Sequence, residues 1–313
     1  MKKISFIPFI GLVALLSSCS LFGGGKAPKF SKEGDEVKYE KFVELYVKAQ
    51  EESEFSDTKS KLGDRTLKGT YYYSTSTSVK RGKKEISKGS STTNKKEEMQ
   101  FDYSNLVAKI TSEEKETSKS TSPEGSESET DNTKTEKYYQ FDKIDGTQYL
   151  VSANAKTQVY SKYTAAGEEK DKTFDYVARE ELSSPMSYFT QYLQQYMRVE
   201  DFEKDTLWYV NDNLFTYVYN KEDKNTEDKY KLETNIKLKA QLDLTDGKQA
   251  VRLSYEVKAV MTLTDDYGEY KDGDVATSEQ KVYADYSISS KDVNVKEVNL
   301  DDYSLSNGGG YIY

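Results

Sequence analysis

Residues 234–263 read TNIKLKAQLDLTDGKQAVRLSYEVKAVMTL, and this stretch decides the fold. Ile236, Leu238, Ala240, Leu242 and Leu244 alternate with polar residues; Val251, Leu253, Tyr255, Val257, Ala259, Met261 and Leu263 then do the same. A period of two sends every second side chain to one face of a strand. Between the runs stands Asp246-Gly247, a pair suited to a two-residue turn whose central residues need positive φ. With that pair as the loop, Leu242 opposes Val251, Ala240 opposes Leu253, Leu238 opposes Tyr255, and Ile236 opposes Val257. All four pairs are apolar on apolar, and a slip of one residue would move one strand's set to the wrong face. The stretch predicts a long antiparallel hairpin with one buried face.

Further strand patterns flank it on both sides. Leu67 to Val79, with Tyr71-Tyr72-Tyr73, and Met99 to Thr111 read as one long pair. Tyr138 to Ile144 and Thr147 to Ala153 flank Asp145-Gly146, and Val159 to Tyr163 follows. Leu207 to Val210 and Leu214 to Tyr219 flank Asn211-Asp212-Asn213. Val282, Ala284, Tyr286 and Ile288 alternate near the end, and Val293 to Leu300 would close the sheet. The chain has 27 tyrosines; tyrosine favours strands, burying its ring while its hydroxyl stays wet.

Two segments carry helical spacing. In Asp35 to Ser53, Phe42, Leu45, Tyr46 and Ala49 stand at i, i+3, i+4 and i+7. In Ser184 to Arg198, Ser184 can cap, Pro185 suits the first helical position, and Met186, Phe189, Leu193, Tyr196 and Met197 form a stripe. A shorter helical turn is expected around Phe174 to Leu182. Between Thr111 and Lys137 runs Ser, Thr, Glu and Lys without a large apolar side chain, which reads as a mobile insertion unable to bury surface. The fold expected is mainly β with a few helices: a large twisted antiparallel sheet or half-open barrel, with helices covering one face.

The first residues are of another kind. Lys2 and Lys3 precede an apolar run from Ile4 to Leu16, and Leu16-Ser17-Ser18-Cys19 follows. This is the order of a secretory leader. Its end resembles the lipobox of bacterial lipoproteins: an aliphatic residue, two small ones, then cysteine. The resemblance implies cleavage between Ser18 and Cys19 and diacylglycerol on the Cys19 thiol. Cys19 is the only cysteine, so a disulfide or thiolate metal site within the chain has no residues to use. Two acyl chains suffice for stable anchoring. The expected organisation is a leader over 1–18, a lipidated and flexible tether over 19–34, one β domain over 35–306, and a flexible tail over 307–313. The protein would face the extracellular or periplasmic side of a cell membrane.

The chemistry on offer is narrow. The chain has no histidine, which removes Ser-His-Asp and Cys-His catalysis and histidine-ligated metals. No phosphate-cradling glycine loop is present. A formal net charge of -9 opposes nucleic acid, and the basic stretch Lys80-Arg81-Gly82-Lys83-Lys84 reads as a solvated loop in a long hairpin. Acidic pairs at Glu180-Glu181, Asp265-Asp266, Asp272/Asp274 and Asp301-Asp302 would serve a glycosidase only if two carboxyls faced each other across a cleft. The run from Asp265 to Asp274, DDYGEYKDGD, lacks the residue order of a calcium loop and reads as a hairpin loop. Tyrosines on the sheet could stack on sugars or line a lipid cavity, beside their plainer role as half-buried strand packing.

Element order and lipidation together make the chain similar to LolA/LppX-type lipoproteins, in which a half-open antiparallel barrel holds lipid beneath helices. No site residue is carried over, because no residue motif of that family stands in this sequence. The resemblance implies a non-catalytic surface lipoprotein that binds an apolar ligand, without a cofactor. The alternative is a structural or adhesive surface protein that recognises an extracellular partner, with a carboxylate glycosidase third.

Overall fold

The computed structural model describes residues 25–52, 64–102, 107–122, 125–144, 147–151, 155–165, 168–178, 181–182, 206–245, 249–290 and 293–295. The leader with Ser18 and Cys19, the Ser184–Arg198 segment, the Asp246-Gly247 and Asp145-Gly146 turns, and the 307–313 tail lie outside these residues.

One open antiparallel sheet of 14 strands organises the chain. In chain order the strands are β1 (Asp35–Val37), β2 (Arg65–Arg81), β3 (Lys84–Asp102), β4 (Val107–Ser122), β5 (Gly125–Ile144), β6 (Thr147–Val151), β7 (Ala155–Ala165), β8 (Glu168–Ala178), β9 (Glu181–Leu182), β10 (Thr206–Asn211), β11 (Leu214–Glu227), β12 (Tyr230–Asp243), β13 (Gln249–Leu263) and β14 (Val275–Ser289). A helix, α1 (Tyr39–Glu52), follows β1. Spatially the path runs β1-β10-β11-β12-β13-β14-β2-β3-β4-β5-β6-β9, with β7 and β8 branching from β5. β14 joins the halves by pairing with β2 from Thr66 to Lys80.

The β12–β13 register is the one read from the sequence: Leu242 opposes Val251, Ala240 opposes Leu253, Leu238 opposes Tyr255, and Ile236 opposes Val257. The apolar row continues across neighbouring strands, through Phe215 on β11 and Tyr286 on β14. This alternation builds one buried core face, holding Leu67, Met99, Phe101, Phe215, Tyr217, Leu242, Val251, Tyr286 and Ile288. α1 packs on it where β10 and β11 lie. Phe42, fully buried, sits 4.7 Å from Trp208 and edge-on to Phe215 at 5.6 Å. Tyr46 also meets Phe215 edge-on, and burial pushes its phenol up to about 12. A second, smaller cluster of Val79, Met261, Leu263 and Ala276 closes the far end of the same strands.

Several expectations change. One 14-residue helix is the helical cover among the described residues, so helices over a whole face are not supported. Asp35–Val37 is edge strand rather than helix, because its backbone pairs with β10. The helical turn expected at Phe174 to Leu182 is instead the end of β8 and the start of β9, paired with β7 and β6. Leu67 to Val79 pairs with Lys84–Asp102 and not with a strand running from Met99 to Thr111; that span divides between β3 and β4, which pair with each other. The Thr111 to Lys137 run forms the β4–β5 hairpin. Its backbone groups are satisfied by neighbouring strands, and its cross-strand pairs are polar, among them Thr117 opposite Thr130 and Glu113 opposite Lys134. Val293–Val295 is not strand.

Candidate binding groove

Side chains of the opposite parity make a polar sheet face. Gln241, Arg252, Asp285, Thr70, Lys96, Glu113 and Lys134 form one cross-strand row upon it. Across this face lies the stretch from Gly25 to Gly34, the larger part of what the sequence presents as a tether. It is not free there. Gln241, completely buried, accepts a hydrogen bond from the Ser31 backbone N–H at 2.8 Å. Its Nε2 donates to the Ser31 carbonyl at 3.1 Å and to Thr216 Oγ1 at 3.0 Å. The Lys239 ammonium pairs with Glu33 and stands 4.8 Å from the Phe30 ring centroid. The hydrogen bond from Lys239 is the main cause that lowers the Glu33 carboxyl. At either end a glycine permits close approach: a Cβ on Gly25 would overlap Tyr72, and one on Gly34 would overlap the Val210 carbonyl.

Between this strap and strands β14, β2, β3, β4 and β5 lies a groove of about 620 Å³. Its floor holds Tyr72 and Tyr283, stacked at 5.5 Å with planes 16° apart. Tyr283 donates to Glu256, and burial, then that carboxylate, raises its phenol. Lys26, Lys29, Lys96 and Lys115 line the rim and are exposed. Glu113 is held by Lys134 at 2.6 Å, and that hydrogen bond lowers its carboxyl. Asp285 faces Arg252 at 3.5 Å. The groove offers a ring platform and a surplus of ammonium groups.

The residues singled out in the sequence fall elsewhere. Ser18, Cys19, Glu180, Asp301 and Asp302 lie outside the described residues, and Glu181 belongs to β9. The carboxylates of the Asp265 to Asp274 loop are taken up by the loop itself and by two cations beside it, Arg81 and Lys229. Asp266 accepts from Lys271 Nζ at 2.8 Å and the Asp272 N–H at 3.0 Å. Asp274, 1% exposed, takes Arg81 Nε at 2.9 Å and Nη2 at 2.7 Å, with the Lys271 N–H at 2.9 Å. Among the described residues no three carboxylates gather to hold a metal ion. Arg81 stands at the exposed β2–β3 tip beside Gly82, whose φ is 59°, so the basic stretch is the hairpin loop the sequence suggests. Of the three consecutive tyrosines, Tyr71 and Tyr72 line the groove; Tyr72 joins the ring stack on its floor, while Tyr71 also packs against the core. The strap was missed because Gly, Pro and Lys mark a linker; Lys26 and Lys29 around Pro28 were its one chemical signal.

No family model matches this sequence, and no curated protein matches it. Among solved structures, the translocator domain of autotransporter NalP from Neisseria meningitidis is 9% identical, with a TM-score of 0.16, over 77% of this chain and 95% of that one. Acinetobacter baumannii OccAB4 is 6% identical, with a TM-score of 0.18, over 74% of this chain and 100% of that one. Similarity at this level carries no argument about this chain. No helix among the described residues is long and apolar enough to cross a membrane.

Proposed function

We propose that this protein is a lipid-anchored, non-catalytic surface lipoprotein that recognises an extracellular partner. The anchor would be diacylglycerol on Cys19, after cleavage behind Ser18. The observation that carries the recognition reading is the distribution of polarity along the strands. Two hairpins, β4–β5 and β11–β12, continue as polar ladders, whereas the outer part of β2–β3 is largely half-buried and holds Val79 of the second cluster. At the adjoining ends of β4 and β5 residues 121, 122 and 125–129 are exposed, and on β11 every residue from Asn220 to Glu227 is exposed. Strands of 14 to 20 residues reach roughly 45–65 Å, farther than α1 and the core require. Long polar ladders add no buried apolar area, so their use lies in the surface they present.

A second reading is carriage of an apolar ligand in a half-open barrel. It is favoured by the row Tyr219, Leu238, Tyr255, Val282 and Tyr73, which continues the core face beyond α1 with four half-buried members. Against it, Phe42 fills the space between α1 and the sheet.

Two measurements test these readings. Cys19→Ser should abolish acylation and release the protein from membranes; unchanged membrane retention and leader processing would overturn the lipoprotein assignment. Native mass spectrometry of the unacylated domain from its own host should give the bare polypeptide mass under the partner reading. A copurifying apolar molecule would select carriage instead.

A further inference from the structure

We infer that the polar face of the sheet lies against the membrane, with Lys26, Lys29, Lys96 and Lys115 on anionic lipid headgroups. The inference rests on the lipidation of Cys19 proposed above, and three observations lead to it.

The first is reach. From Ser20 to Gly25 there are six residues, which span at most about 22 Å when fully extended. Gly25 is already seated on Tyr72, in the middle of β2. A strand such as β14, with 15 residues, is about 50 Å long. The link from Cys19 to the docked strap therefore reaches less than half the sheet, so the domain cannot rise clear of its anchor. The tether also meets the sheet from the polar side, so this is the face nearest the bilayer.

The second is charge. The whole chain is acidic, at -9, and would be repelled by an anionic surface if it approached in random orientations. Around the groove the balance reverses. Of the three acids lining it, Glu113 and Asp285 are matched by Lys134 and Arg252, and Glu114 stands opposite Lys95. Lys26, Lys29, Lys96 and Lys115 make no ion pair among the described residues. Lysines near an anionic leaflet are attracted to it within about one Debye length. Lys26 and Lys29 lie within ten residues of Cys19, where the anchor delivers them to that range.

The third is order. Gln241, Lys239 and Glu33 fix the strap to the sheet, so the position of the anchor becomes an orientation of the whole domain. A loose tether of the same length would leave the sheet free to turn.

The experiment uses the acylated chain reconstituted in vesicles, with a single reporter thiol. Cys19 is the sole cysteine, so once it is acylated an introduced thiol labels uniquely. Asn94→Cys and Thr93→Cys place a fluorophore on consecutive residues of β3, hence on opposite faces. Vesicles contain phosphatidylglycerol and phosphatidylcholine with a headgroup spin label as quencher. Strong quenching at residue 94 and weak quenching at residue 93 is the expected result. Each neutralisation, Lys26→Gln, Lys29→Gln, Lys96→Gln or Lys115→Gln, should shift the balance about fivefold away from the face-on state. Equal quenching at both positions, with the protein still vesicle-bound, overturns the inference and leaves the lipoprotein reading standing. Equal quenching together with retention on an immobilised acidic polysaccharide would assign the lysines to a glycan, and also overturns it. A Cys19 peptide of unmodified mass would remove the anchor, and the inference would fall with that reading.

Discussion

Gly69 of β2 and Tyr286 of β14 are cross-strand partners, and the tyrosine ring lies where a Cβ on residue 69 would be. The fully buried ring thereby reaches over β2, and its hydroxyl donates to Glu97 of β3 at 3.0 Å. Lys95 pairs with the other oxygen of Glu97 at 2.6 Å. A glycine that would weaken an ordinary strand here lets an aromatic side chain bridge two neighbours. Gly69→Ala should therefore destabilise the protein by about 1–3 kcal/mol through overpacking, against the small gain expected where a strand glycine has room. Urea unfolding measures it, and a variant as stable as the parent would contradict the packing described.

Arg81 and Asp274 set a pH dependence. The Arg81 hydrogen bonds are the first cause lowering the Asp274 carboxyl, ahead of opposing burial. A carboxylate with a depressed folded-state pKa contributes stability above its unfolded value, near 3.9. That stability is lost as pH falls through the folded value. Arg81→Gln should therefore lower the melting temperature most near neutrality, with the gap to the parent closing in acid. A gap that stays constant from pH 7 down to pH 2 would show that the pair does not act through the ionised carboxylate.

The halves of the sheet were unequally legible. Where one face is buried, as in β12 and β13, apolar alternation and a turn pair give the register residue by residue. From Lys84 to Glu98 and from Thr111 to Lys137 neither face is strongly apolar, so periodicity has nothing to show. Pairing there rests on backbone hydrogen bonds and polar cross-strand contacts. Thr92 meets Thr117 at 3.0 Å, and Lys96, Glu113 and Lys134 alternate in sign across three strands. Threonine content was the available clue, but abundant Ser, Glu and Lys read equally as unfolded chain. The groove was illegible for another reason: it needs the strap, whose docking depends on Gln241, two hundred residues away in sequence and on the polar side of its strand pattern.

Phe42 tests the seating of the helix. Truncating a fully buried phenylalanine costs about 3–5 kcal/mol, and Phe42→Ala removes the ring touching both Trp208 and Phe215. Trp208 is the chain's single tryptophan, so tryptophan emission comes from this one site under α1. Emission should shift to the red as water reaches the indole, and Tyr46 should ionise closer to its ordinary value of 10.0. An unshifted spectrum in a folded variant would mean that α1 does not shield Trp208.

Gln241 governs the strap. Its side-chain amide holds both the N–H and the carbonyl of Ser31, and also Thr216. Gln241→Met keeps the approximate volume but removes donor and acceptor together, leaving buried Thr216 and the Ser31 backbone to find other partners. Such a loss costs about 1–3 kcal/mol, spent mainly on releasing residues 25–34 because the apolar core lies on the other face. Limited trypsin digestion should then cut behind Lys26, Lys29 or Lys32 much faster than in the parent, while Trp208 emission stays unchanged. Thr216→Val offers a contrast: it removes one partner of the amide and leaves both bonds to Ser31, so the strap should remain protected. Equal cleavage of Gln241→Met and parent would show that the strap is held by Lys239 and Glu33 alone.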